Sequence, residues 1–179
     1  MKSERPKLFR FSLGYFLGAL ILNILITPFV DPLKGGDVIE VMLTSLVLLV
    51  AVFSIAGGWK ALLGIVLAAP AVSGEWLNYW WPDQMLIYSV TRVSGLLFIA
   101  FVLAELLRFI IYAPRVDAEV LCAAVAGFLL SGLAWSLAYN LLDRLDPNSF
   151  VYTLSSKGGF SLNGFTSLYF SFITLSTLG

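Results

Sequence analysis

Long apolar runs, separated by short polar breaks, set the character of this chain. The first covers residues 11–30 and is ended by the Pro- and Gly-containing loop 31–37. The second covers 38–56 and stops at Gly57-Gly58-Trp59-Lys60. The third, 61–76, is the weakest, being short and holding Pro70. The fourth covers 85–112 and the fifth 116–142. A membrane-crossing helix needs roughly 20 apolar residues for ~30 Å of hydrocarbon. The pattern therefore predicts five transmembrane helices. Proline is tolerated in such helices, where it kinks the chain.

Two segments break this rhythm. Residues 76–83 carry three Trp and one Tyr, an aromatic group suited to the headgroup boundary. Residues 143–163 are polar and rich in Gly and Ser, which predicts an exposed loop. The apolar stretch after that loop runs for only about a dozen residues before Thr177. At ~1.5 Å per residue it reaches ~18 Å, about half a bilayer. It fits a re-entrant helix, or equally the start of a sixth span; length alone does not separate them.

Composition agrees with lipid as the solvent. Hydrophobic residues make up 59% of the 179 and charged residues 12%, against about 25% charged in a soluble domain. Net charge is zero, so nucleic acid is not an expected partner. The chain has no His and one Cys, Cys122. That excludes a His-based metal site or catalytic triad and any disulfide within one chain. With no acidic pair in a span and no nucleophile beside a base, no enzyme and no cofactor are expected.

The basic start, MKSERPKLFR, leads into a 20-residue apolar run, longer than the ~7–15 residues of a cleaved signal. A retained span is predicted. With the N-terminus inside, Lys2, Arg5, Lys7, Arg10, Lys60, Arg108 and Arg115 lie on the cytoplasmic side. Only Lys34, Arg144 and Lys157 lie outside, and Arg92 falls within the fourth span. Seven basic residues against three favour this orientation. The segment after the fifth span then faces outward.

The last six residues, Thr174-Leu175-Ser176-Thr177-Leu178-Gly179, resemble the pore-helix end and filter start of potassium channels, T-x-x-T-x-G followed by Y-G-D. Leu168-Tyr169-Phe170-Ser171-Phe172 resembles the aromatic pore helix of that family. Leu133-Ala134-Trp135 and residues 145–150 resemble a bacterial subgroup with four extra spans before a two-helix pore module. The close resemblance covers roughly residues 115–179; the first four spans carry little specific signal.

This resemblance implies an all-α membrane protein with five transmembrane helices and a re-entrant pore helix. Residues 1–10 would be a cytoplasmic N-terminus, 11–112 a four-span region and 113–179 a partial pore module. Thr177, Leu178 and Gly179 would begin the selectivity filter. Phe165, Thr166, Tyr169, Phe170, Thr174 and Ser176 would belong to the pore helix. Potassium would be the permeant ion, lipid the surroundings, and a tetramer-like homo-oligomer the pore, in the bacterial cytoplasmic membrane. The Y-G-D and inner helix of the family pattern do not follow Gly179, so the chain is expected to be a fragment or a truncated product, unable to conduct alone.

A filter replaces an ion's water shell with carbonyl and Thr hydroxyl oxygens. Thr177 would give both, Leu178 and Gly179 carbonyls only. Glycine suits backbone angles that a β-carbon penalises. The pore helix would aim its partially negative C-terminal end at the cation, with Thr166 or Asn163 capping its start.

Other residues carry competing readings. Arg92 in the fourth span is a functional candidate or a snorkelling boundary residue. Glu105 and Arg108, three apart on one face, can pair. One Arg at depth does not make a voltage sensor. Glu40 reads as interfacial, Trp135 and Cys122 as packing residues, and Asp143 and Asp146 as loop charges that would concentrate cations at a mouth. The alternative function is a non-channel membrane protein, a small transporter or scaffold, with a chance filter-like ending.

Overall fold

The computed structural model describes residues 9–30, 33, 35–54, 59–146, 149–150 and 164–177. Among these the chain is all-helical, with no strand: α1 (Phe9–Val30), α2 (Gly36–Ser54), α3 (Trp59–Trp80), α4 (Met85–Ile111), α5 (Ala118–Leu145) and α6 (Gly164–Leu175). A helix satisfies its backbone groups internally, which an apolar surrounding demands.

The first five helices close into a ring. Each of α1 to α4 packs on the next, α4 packs on α5, and α5 returns to α1. Phe16 and Leu20 of α1, Ala51 of α2, Ala71 of α3, Phe98 of α4, and Ala123 and Ala126 of α5 form its core. Small residues bring the helices close. A Cβ on Gly74 of α3 would collide with the Thr91 side chain of α4. The start of α5 is capped by Asp117, whose carboxylate accepts from the Val120 N–H at 3.2 Å.

The outside of the ring is strongly apolar. Phe29, Phe53, Trp59, Leu86 and Ile111 are 71% to 81% exposed, too much hydrophobic surface for a water-facing wall. Three helices are long and apolar enough to cross a membrane: α1 over Leu13–Val30, α4 and α5. Helices of this length and composition mark a membrane protein. The apolar part of α2, Val38–Ser54, is shorter. The 22 residues of α3 include Lys60, Pro70, Glu75 and Asn78.

Several boundaries differ from the sequence expectation. Trp76 to Trp80 continue α3 as helix, and their rings are exposed around its end. The fifth helix extends to Leu145. The last helix starts at Gly164, which places Thr166 inside its first turn rather than at a cap. Asn163 lies outside the described residues.

Candidate functional site

The short helix α6 is built onto α5. Its twelve residues run antiparallel to α5, as three pairings show. The hydroxyls of Ser136 and Ser167 meet at 2.8 Å in a buried contact. One turn further, the Ser171 hydroxyl donates to the carbonyl oxygen of Gly132 at 2.6 Å. Beyond that, the rings of Phe128 and Phe172 lie 6.1 Å apart. As the chain advances along α6, its partners retreat along α5.

Gly132 makes this approach possible, because a Cβ there would meet the Phe172 ring. Ser167 and Ser171 are fully buried. Their spacing of four places both on one helix face, and Gly132 and Ser136 repeat that spacing on α5. Ser171 falls within the expected pore-helix motif; Gly132, Ser136 and Ser167 were not among the residues singled out from the sequence. The small and hydroxyl residues at matched spacing were the available signal.

The predicted pore-helix residues divide between two ends. Phe165 and Tyr169 face each other near the start, rings 6.1 Å apart. Phe170 joins an aromatic cluster with Tyr139, at 5.1 Å, and Phe150, at 5.9 Å. Trp135 stacks on Tyr139 at 5.7 Å, yet it is half exposed and belongs to this aromatic face rather than to the core. Thr166 is half-buried in the first turn.

At the other end, Thr174, Ser176 and Thr177 are all exposed. The Thr174 hydroxyl donates to the Phe170 carbonyl at 2.5 Å, and the Ser176 hydroxyl to that of Phe172 at 2.6 Å. The Thr177 N–H closes a final turn on the Thr174 carbonyl at 3.2 Å. Thr177 itself has φ 56°, the one described non-glycine residue in the left-handed region. A β-branched residue there is uncommon. Leu178 and Gly179 lie outside the described residues.

A second constellation sits at the end of the ring where α3 finishes and α4 begins. Arg92, seven residues beyond Met85 in α4, does not snorkel outward. It pairs with Glu75 of α3 at 3.1 Å, with side chains 20% and 15% exposed. The guanidinium also lies 5.0 Å from the centre of the Tyr88 ring. The pair lines a cavity of about 620 Å³ shared by all six helices. Glu40 is exposed at its wall.

The opposite end carries a different cluster. Glu105 pairs with Arg108 at 3.4 Å, as their spacing predicts, and also with Lys60 of α3 at 2.6 Å. Among the described residues no cluster of His, Cys, Asp and Glu could hold a metal ion.

Compared with known proteins, the chain matches no family model, no curated protein and no solved structure.

Proposed function

We propose that this protein is a pore-forming subunit of a potassium-selective channel, with α6 as a re-entrant pore helix and Thr177 to Gly179 as the start of the filter. The single observation that carries this reading is the end of α6. A helix too short to cross a bilayer runs back along α5 and stops part way. Two residues past its last, Leu175, stands an exposed Thr in the left-handed region, Thr177, within the sequence Thr-Leu-Ser-Thr-Leu-Gly.

In this reading all five longer helices cross the bacterial cytoplasmic membrane, with the N-terminus inside and α6 entering from outside. The left-handed turn at Thr177 reorients successive carbonyls toward one axis. Those oxygens, with the Thr177 hydroxyl, replace the water shell of a potassium ion. The C-terminal end of α6 adds partial negative charge nearby. One strand cannot surround an ion, so four copies converge and cover the exposed face at Thr174, Ser176 and Thr177. The absence of an Arg series on α4 accords with gating that is not voltage-driven.

Cross-linking tests convergence directly. In a Cys122→Ser background, Thr177→Cys is treated with a short bifunctional maleimide in membranes. It should give covalent dimers and higher species far more efficiently than Phe53→Cys on the outer apolar wall. Equal cross-linking at both positions would contradict convergence of α6 ends.

A further inference from the structure

Charge and exposure meet at the end of the ring where α3 begins and α4 finishes. Lys60 of α3 pairs with one oxygen of Glu105 at 2.6 Å, and Arg108 of α4 pairs with the other at 3.4 Å. One carboxylate thus gathers two cations across the α3–α4 contact, and the group of three carries a net positive charge. Both cations are open to the outside. Their side chains are 48% and 66% exposed, against 19% for the Glu105 between them. Each keeps N–H donors beyond the one given to Glu105.

Lys60, Glu105 and Arg108 line a cavity of about 500 Å³ between α1, α2, α3 and α4, together with the exposed Tyr112. The surface beside the cations is apolar. Trp59, next to Lys60, is 71% exposed. Ile111, on the face of α4 that carries Arg108 and Tyr112, is 73% exposed. Large exposed side chains of this kind belong in hydrocarbon. Long cationic side chains beside them keep their stems on the apolar wall and their charges at headgroup level.

These two surfaces together select the ligand. A soluble anion would meet the charge and leave the apolar wall uncovered. A zwitterionic lipid would cover the wall and bring no net countercharge. An anionic phospholipid does both. Basic pockets between transmembrane helices on the cytoplasmic side bind anionic headgroups, and that is the side this end takes in the orientation proposed above.

We propose that Lys60 and Arg108 form a binding site for an anionic phospholipid, with its phosphate on the two cations at the exposed edge of the cavity and its chains along Trp59, Ile111 and Tyr112. Binding is measured without ion flux, so the site stands or falls apart from the pore reading.

Native mass spectrometry of the full chain in detergent, titrated with dioleoyl phosphatidylglycerol or dioleoyl phosphatidylcholine, tests it. The anionic lipid should be retained at one molecule per chain, at least about tenfold more tightly than the zwitterionic one. Lys60→Gln and Arg108→Gln should each weaken the anionic lipid about tenfold or more. Arg115 is an exposed cation of the same end that does not line the cavity, and Arg115→Gln should change binding by no more than about twofold. Exposed ion pairs contribute little to stability, so the variants should fold, and the two cavity substitutions are separate tests. Inorganic phosphate in large molar excess should not displace the lipid. Displacement by phosphate, equal retention of the two lipids, unchanged binding in the folded Lys60→Gln and Arg108→Gln proteins, or an equal loss in Arg115→Gln would overturn the proposal.

Discussion

The hydroxyl of Ser171 donates to the carbonyl oxygen of Gly132 at 2.6 Å, wholly inside the contact between α5 and α6. A helix carbonyl already accepts one backbone N–H and retains a second lone pair, which the serine occupies. The bond fixes both the depth of α6 and its rotation, and so fixes where Thr177 emerges. The Ser136–Ser167 contact one turn away repeats the constraint.

Gly132 is therefore predicted to tolerate no side chain. Gly132→Ala places a methyl group against the Phe172 ring, and overpacking of this kind costs typically ~1–3 kcal/mol. Shortening the obstacle should relieve part of it. The double variant Gly132→Ala/Phe172→Leu should lose less stability than the two single losses added together. Denaturant titration of all three variants in mixed micelles checks this. Strict additivity would mean that the two residues do not meet.

The Glu75–Arg92 pair should behave as a unit. Glu75→Leu leaves a guanidinium with little exposure and no carboxylate beside it, and Arg92→Leu leaves the converse. Breaking a buried pair on one side costs roughly 3–5 kcal/mol; side chains still 20% and 15% exposed place this one near the lower end. The double variant Glu75→Leu/Arg92→Leu should recover most of the loss, since neither charge then remains. Thermal unfolding in detergent separates the outcomes. A double variant as unstable as the worse single one would show that the pair does more than neutralise itself.

Much of the framework was legible in the sequence, because period and length act locally. The apolar runs at 11–30, 85–112 and 116–142 correspond to α1, α4 and α5 to within three residues at each end. The half-length of the last helix was also readable, since it needs only a count of apolar residues. What could not be read was pairing. Arg92 looked like a lone charge because its partner, Glu75, comes from a different helix, 17 positions earlier. Trp135 read as a packing residue and does stack on Tyr139, but its half-exposed position was not legible, because it depends on which face α5 turns to α1 and α4. The pairing of Ser167 and Ser171 with Ser136 and Gly132 lies 31 and 39 positions apart in sequence, beyond the reach of any local pattern.

The orientation proposed from the basic residues is tested without any structure. In a Cys122→Ser background, Ser3→Cys and Ser155→Cys are labelled in intact cells with a membrane-impermeant maleimide. Ser155→Cys should react and Ser3→Cys should not, as expected for a cytoplasmic N-terminus with the 143–163 loop outside. The reverse pattern would place the four-span region and α6 on the wrong sides for entry from outside.

The pore reading meets its most direct test in ion flux. The full-length protein is reconstituted in liposomes loaded with potassium, and its efflux is compared with that of sodium. Efflux should be potassium-selective. Gly179→Ala should abolish it, since a methyl group penalises the backbone angles that aim a filter carbonyl inward. Thr177→Ala, which removes one hydroxyl per subunit and no carbonyl, should keep flux but weaken selectivity; Leu178→Val should be nearly silent. An ordinary membrane helix would instead accept Gly179→Ala with unchanged or improved folding. A Gly179→Ala protein that folds and conducts potassium like its parent would contradict the assignment of Thr177 to Gly179 as a filter.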